Sequence, residues 1–119
     1  MFEDEIKNLK PFESYVICYT SLQDTYSFAL YSYKESYNKI VFENTKHTQY
    51  HLDNIATHKK LLESRLHIVK ICKEDIDVST LIASQKQQLK SGEDLLNKVE
   101  TLLNDMEKFL SKHNIELSI

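Results

Sequence analysis

Histidines 47, 51, 58 and 67 gather in the middle of the chain. Glu43, His47 and His51 recur at four-residue steps, a spacing that places two imidazoles and a carboxylate on one face of a helix where they could coordinate a metal. A zinc site needs three or four convergent ligands, and the HExxH pattern that couples zinc to a general base is absent. Histidines on the solvated edge of a helical bundle are therefore expected, with no metal and no cofactor. Cys18 and Cys72 lie far apart with no CxxC spacing and no secretory signal ahead of them, which reads as a reduced, intracellular setting, cytoplasm or nucleus. Cys18 sits among Val16, Ile17 and Tyr19, so a packed core thiol is expected rather than a nucleophile. A glycine-rich phosphate cradle and a nucleophile elbow are both missing, and the expectation is a protein without catalytic activity.

Two further groups could recognise a partner. The basic run His58, Lys59 and Lys60, with Arg65, His67, Lys70 and Lys73, could contact the phosphates of nucleic acid or of an acidic lipid surface. Nucleic acid is not expected, because the chain carries a net charge of −3 and a single arginine, whereas nucleic-acid modules are strongly basic. A membrane surface stays as the alternative, read through His58, Lys59, Lys60, Arg65 and Lys70. The aromatic residues are the least ordinary feature: of five phenylalanines and seven tyrosines, all but Phe109 fall within the first fifty residues. Tyrosine suits interfaces because it combines a large contact area, low conformational entropy and a polar tip. Tyr15, Tyr19, Tyr26, Tyr31, Tyr33 and Tyr37, together with Leu95, Leu102 and Phe109, are accordingly the expected partner-binding residues.

These side chains must be positioned by long helices. One glycine and one proline in 119 residues leave too little turn chemistry for a sandwich or barrel, and the length suits a single domain. Pro11 is placed as at a first helical turn. From there Phe12, Tyr19, Tyr26, Tyr33 and Ile40 recur every seven residues, with Tyr15, Leu22 and Ala29 beside them, as on one face of a helix. The aromatic and β-branched content of 27–33 also suits a strand, but the sustained period outweighs it. Leu52, Ile55, Leu62, Leu66, Val69 and Ile76 form a second stripe, interrupted by Lys59 and Lys73. A break near 45–50, where Thr45 and Thr48 favour caps and turns, competes with one continuous helix over 12–73. In the third segment Glu74, Asp75, Asp77 and Ser79 precede a helix starting near Val78, with charge that suits its positive pole. Ile82, Gln85, Leu89, Gly92, Leu96, Val99, Leu103, Met106 and Leu110 make one apolar row there, and Leu81, Gln88, Leu95, Leu102 and Phe109 a second. Two rows are wider than a coiled-coil seam and predict a helix with at least two neighbours.

The expected architecture is all-α, an elongated antiparallel three-helix bundle with helices over about 12–45, 49–73 and 78–113 and a flexible acidic segment 1–10, completed by a second copy or a helical partner. Residues 46–73 hold six basic and two acidic side chains, whereas both flanking segments are net acidic, so antiparallel packing of the middle against its flanks is favoured electrostatically. The longest uncharged stretch, 14–23, is too short to cross a bilayer. The expected function is that of an assembly or adaptor subunit bound to a helical protein or to itself. The alternatives are an anionic-lipid-binding module using 46–73 and a small inhibitor or immunity-type protein whose acidic helices occupy a basic site on an enzyme.

Overall fold

The computed structural model describes residues 10–118, so the acidic N-terminal segment falls, apart from Lys10, outside the described residues. Three helices follow one another: α1 over Pro11–Val41, α2 over Thr48–Glu74 and α3 over Ala83–Ser118, with a 3-10 turn at Val78–Thr80. They pack as an antiparallel three-helix bundle, 55 Å in its longest dimension. Pro11 occupies the first turn of α1, and Glu13 adds negative charge there, as the helix dipole favours.

The first helix stops at Val41 rather than running to 45, and the continuous 12–73 helix does not form. The amides of Phe42 and Glu43 both donate to the Asn38 carbonyl, and the Thr45 amide donates to that of Lys39. Between them Asn44 has φ 48, a left-handed conformation that asparagine tolerates at helix ends. The Thr45 hydroxyl oxygen then accepts from the His47 amide, and the Thr48 hydroxyl donates to the Thr45 carbonyl as α2 begins.

The third helix also begins later than expected, at Ala83 instead of Val78. Asp77 captures both the Ser79 amide (3.1 Å) and the Ser79 hydroxyl (2.6 Å), which closes the 3-10 turn, and Leu81 leaves it in extended backbone. The hydrogen bonds from Ser79 hold the Asp77 carboxyl below the usual carboxylate range. Gln85, a polar interruption on the apolar row, reaches back to accept from the Ile82 amide at 3.1 Å. That contact is half of a capping box, and it accounts for a glutamine at this position.

Leu22 and Ala29 from α1, Ile55, Leu62 and Val69 from α2, and Val99 and Met106 from α3 form the fully buried centre. The most extensive interface joins α1 to α2, while α3 rests more on α2 than on α1. Three ion pairs tie α2 to α3: Lys59 to Glu107 at 3.0 Å, Lys70 to Glu100 at 2.6 Å and Lys73 to Glu93 at 3.4 Å. The basic middle segment thus answers the acidic third helix, and the two lysines that interrupt the α2 stripe, Lys59 and Lys73, are among the three that reach across.

Candidate protein-interaction surface

The expected aromatic face lines the seam between α1 and α3. Near its start, Tyr15 is buried and its ring lies 5.8 Å from that of Tyr19. Both pack over Gly92, where an added Cβ would stand 2.5 Å from the Tyr15 hydroxyl and 3.1 Å from the Tyr19 ring. Glycine here leaves room for the Tyr15 hydroxyl and the Tyr19 ring, either of which would have to shift for a larger residue. Burial, with Tyr19 and Glu93 nearby, pushes the Tyr15 phenol above its ordinary range. Further along, Tyr33 and Tyr37 pack against Phe109 with centroids 6.0 and 5.2 Å away, and Phe109 lies against His113 at 4.1 Å. Leu95, Leu102 and Phe109 are buried inside the chain itself. Tyr26 and Leu102, with Leu30, Asn97, Lys98, Thr101 and Asp105, line an open furrow of about 270 Å³ between α1 and α3. Of the six tyrosines expected to meet a partner, only Tyr31 is well exposed, at 69%.

On the α1–α2 interface the chain places a polar ladder. Asn54 donates to Ser32 at 2.8 Å and to Ser36 at 3.3 Å, and the Ser36 hydroxyl lies 3.3 Å from His51 Nδ1. A serine beside a histidine is the beginning of a nucleophilic pair. Here, however, Ser36 is only 2% exposed and packed between two helices, where an incoming carbonyl has no approach. The ladder instead satisfies polar groups that sit in the interface and fixes how the two helices align.

The basic residues separate rather than converge. Lys59 is held by Glu63 and Glu107, and Lys70 by Glu100. The two carboxylates hold the Lys59 ammonium above its ordinary range. His58 packs at a tilt against Phe28, ring centroids 5.2 Å apart, and engages the Asn54 carbonyl. Arg65 borders a small recess with Cys18, Ser21 and Ile68, and Lys60 is exposed elsewhere on the helix. Glu43, His47 and His51 do not share a helical face, because α1 has already ended and His47 caps α2. Among the described residues no group of three or more potential ligands could hold a metal ion, and no helix is long and apolar enough to cross a membrane.

Further apolar exposure lies on α1 and α2 away from α3, where Tyr31 alone was among the expected partner-binding residues. Ile17, Phe28 and Tyr31 of α1 and Leu61, Ile68 and Ile71 of α2 are all exposed, Phe28 by 63%. At 100° per residue, Phe28 points about 200° away from Tyr26, which lines the furrow with α3. Leu61, Ile68 and Ile71 likewise stand two positions from Lys59, Lys70 and Lys73, the residues paired to α3. Phe28, which meets His58 of α2, and Ile68, which borders a recess with Cys18 of α1, therefore lie along the α1–α2 seam on the side away from α3, with Leu61 beside them, whereas Tyr31 and Ile71 point outward from the bundle. A signal was available: Leu61, Ile68 and Ile71 form a short second row at seven- and three-residue steps, overshadowed by the longer stripe beside it. No family model, no curated protein and no solved structure matches this chain.

Proposed function

We propose that the protein is a non-catalytic assembly or adaptor subunit, and that it binds a helical partner along the open face of the α1–α2 pair. One observation carries the reading: Ile17, Phe28 and Tyr31 of α1 and Leu61, Ile68 and Ile71 of α2 stay exposed on the two helices away from α3, apart from the further exposed apolar residues in and beside the connections between helices. Single exposed apolar residues are ordinary, but a set gathered along one helix pair is how soluble proteins mark a protein contact. A groove between two antiparallel helices accepts a further helix by the packing that already seats α3. Phe28 and Tyr31 provide the aromatic anchors such contacts favour, and Arg65 offers a guanidinium to a carboxylate on the incoming helix. A membrane-surface role draws less support, because Lys59, Lys70 and Lys73 are already engaged by glutamates.

The test is site-specific photocrosslinking in the native cell, with a photoreactive phenylalanine analogue at Phe28 or Tyr31 and, as control, at exposed Lys90 on α3. The reading expects covalent adducts from 28 and 31 well above those from 90, weakened by Leu61→Glu. Equal yields from all three positions would overturn it. The adduct's mass separates a second copy of the chain from a different protein.

A further inference from the structure

Cys18 and Cys72 are 54 positions apart in the chain, yet their sulfurs lie 3.8 Å from each other across the α1–α2 interface. Both are free thiols, 4% and 9% exposed. That separation is van der Waals contact, and a disulfide bond of about 2.05 Å would draw the two sulfurs closer by movement of the side chains and of the helices that carry them. Cys18 also borders the recess shared with Ser21, Arg65 and Ile68, about 10 Å³ in volume, room for roughly one water-sized molecule. This recess gives a small oxidant its approach to the first sulfur.

We propose that Cys18 and Cys72 are a modification site, a pair that closes to a reversible intramolecular disulfide on exposure to hydrogen peroxide and clamps the start of α1 to the end of α2. The Cys18 sulfur attacks one peroxide oxygen and gives up its proton. The O–O bond breaks, the departing hydroxide takes up a proton as water, and Cys18 is left as a sulfenic acid. The Cys72 sulfur then attacks the Cys18 sulfur, the S–O bond breaks, and the hydroxyl leaves with the Cys72 proton as a second water. Two thiols and one hydrogen peroxide thus give one disulfide and two waters; the sulfurs lose two electrons and the peroxide oxygens gain them. Burial, with Cys18 alongside, pushes the Cys72 thiol up to about 11, so it keeps its proton at neutral pH and is the slower attacker; it is the resolving partner by position, its sulfur lying 3.8 Å from that of Cys18. The clamp is independent of the proposed partner surface, although it borders the end of that face marked by Ile17, Ile68 and Ile71.

The full chain, native and reduced, should lose the mass of two hydrogens on treatment with hydrogen peroxide. Digestion without reductant should release one peptide pair joined through Cys18 and Cys72, and dithiothreitol should reverse the change. In a glutathione redox buffer, the equilibrium constant for closing this pair should be at least about tenfold larger in the native chain than in guanidinium, because the fold holds the thiols together. The thermal midpoint of the oxidised chain should rise by about 5 °C or more. Cys18→Ser, checked for helicity, should abolish the two-hydrogen loss. Three results would overturn the proposal: oxygen or glutathione adducts on single cysteines in place of the link, disulfide-linked dimers, or an equal closure constant in native and denatured chains.

Discussion

Gly92 shows how one residue makes room for the side chains of a neighbouring helix. In an open helix, replacing it by alanine would be favourable by about 0.8–1.0 kcal/mol through helix propensity. Here the added methyl would meet the Tyr15 hydroxyl at 2.5 Å, and forcing extra volume into a packed site costs about 1–3 kcal/mol. Overpacking wins, because the Tyr15 side chain is itself enclosed. Gly92→Ala is expected to lower stability by about 1 kcal/mol in urea unfolding, whereas in a Tyr15→Phe background the same change should be neutral or favourable. Additive effects of the two substitutions would mean that the hydroxyl is not what fills the space.

At the scale of elements, the pairing of α1 with α2 combines an apolar centre with the ladder of Ser32, Ser36, His51 and Asn54. Asn54 donates to two serines, so Asn54→Ala removes that donor from both hydroxyls, Ser36 keeping only His51, and should cost about 1–2 kcal/mol. Ser36→Ala combined with Asn54→Leu removes the two central members of the ladder together, the most buried hydroxyl and the amide that serves it, and leaves Ser32 and His51 at its ends. That double variant should be at least as stable as Asn54→Ala, while its amide spectrum broadens as the helices lose their preferred alignment. A sharp, wild-type-like spectrum would assign alignment to apolar packing alone. The Cys18–Cys72 clamp would act on the same pair of helices; closing a loop of this length restricts the unfolded chain by about 4 kcal/mol in the chain-entropy description.

For the molecule as a whole, the order of packing follows charge as well as apolar pattern. Lys59 projects from the α2 stripe and meets Glu63 and Glu107. Lys59→Glu should lower the urea midpoint at low salt, Glu107→Lys in the same chain should recover most of the loss, and added salt should shrink both effects. The pH window follows from the directions of the shifts. Lys59 is raised, so its contribution is present at neutral pH and fades as pH climbs through its elevated value; Glu107 is lowered by Lys59, so its share fades as pH falls through its depressed one. The difference between the wild type and Lys59→Gln should therefore be largest near neutrality and vanish at both extremes. A difference that persists in strong acid would place the role of Lys59 in its aliphatic stem.

The sequence by itself determined that the chain is helical and which residues form its main apolar stripes, while the structure decided that 12–73 makes two helices rather than one. Those properties repeat locally: the seven-residue recurrence from Phe12 to Ile40, Pro11 at a first turn and the two rows on the third segment are all set within a few turns of backbone. Opposite net charge on neighbouring segments also made antiparallel pairing legible. Helix ends were less so, because Asn44 and the Asp77–Ser79 pair stop or delay a helix through hydrogen bonds whose geometry a residue pattern does not specify. Only the tertiary structure decided which stripe residues meet one another and which remain open. A period tells that Phe109 or Leu102 is buried, but not that Tyr33, Tyr37 or Leu30 is its neighbour. It also gives no sign that α3 would cover one side of the α1–α2 pair and leave Phe28 and Leu61 on the other. Cys18 and Cys72 are the clearest case: nothing in their spacing relates them, and their contact exists because two helices fold back at 42–47 and align over their whole length.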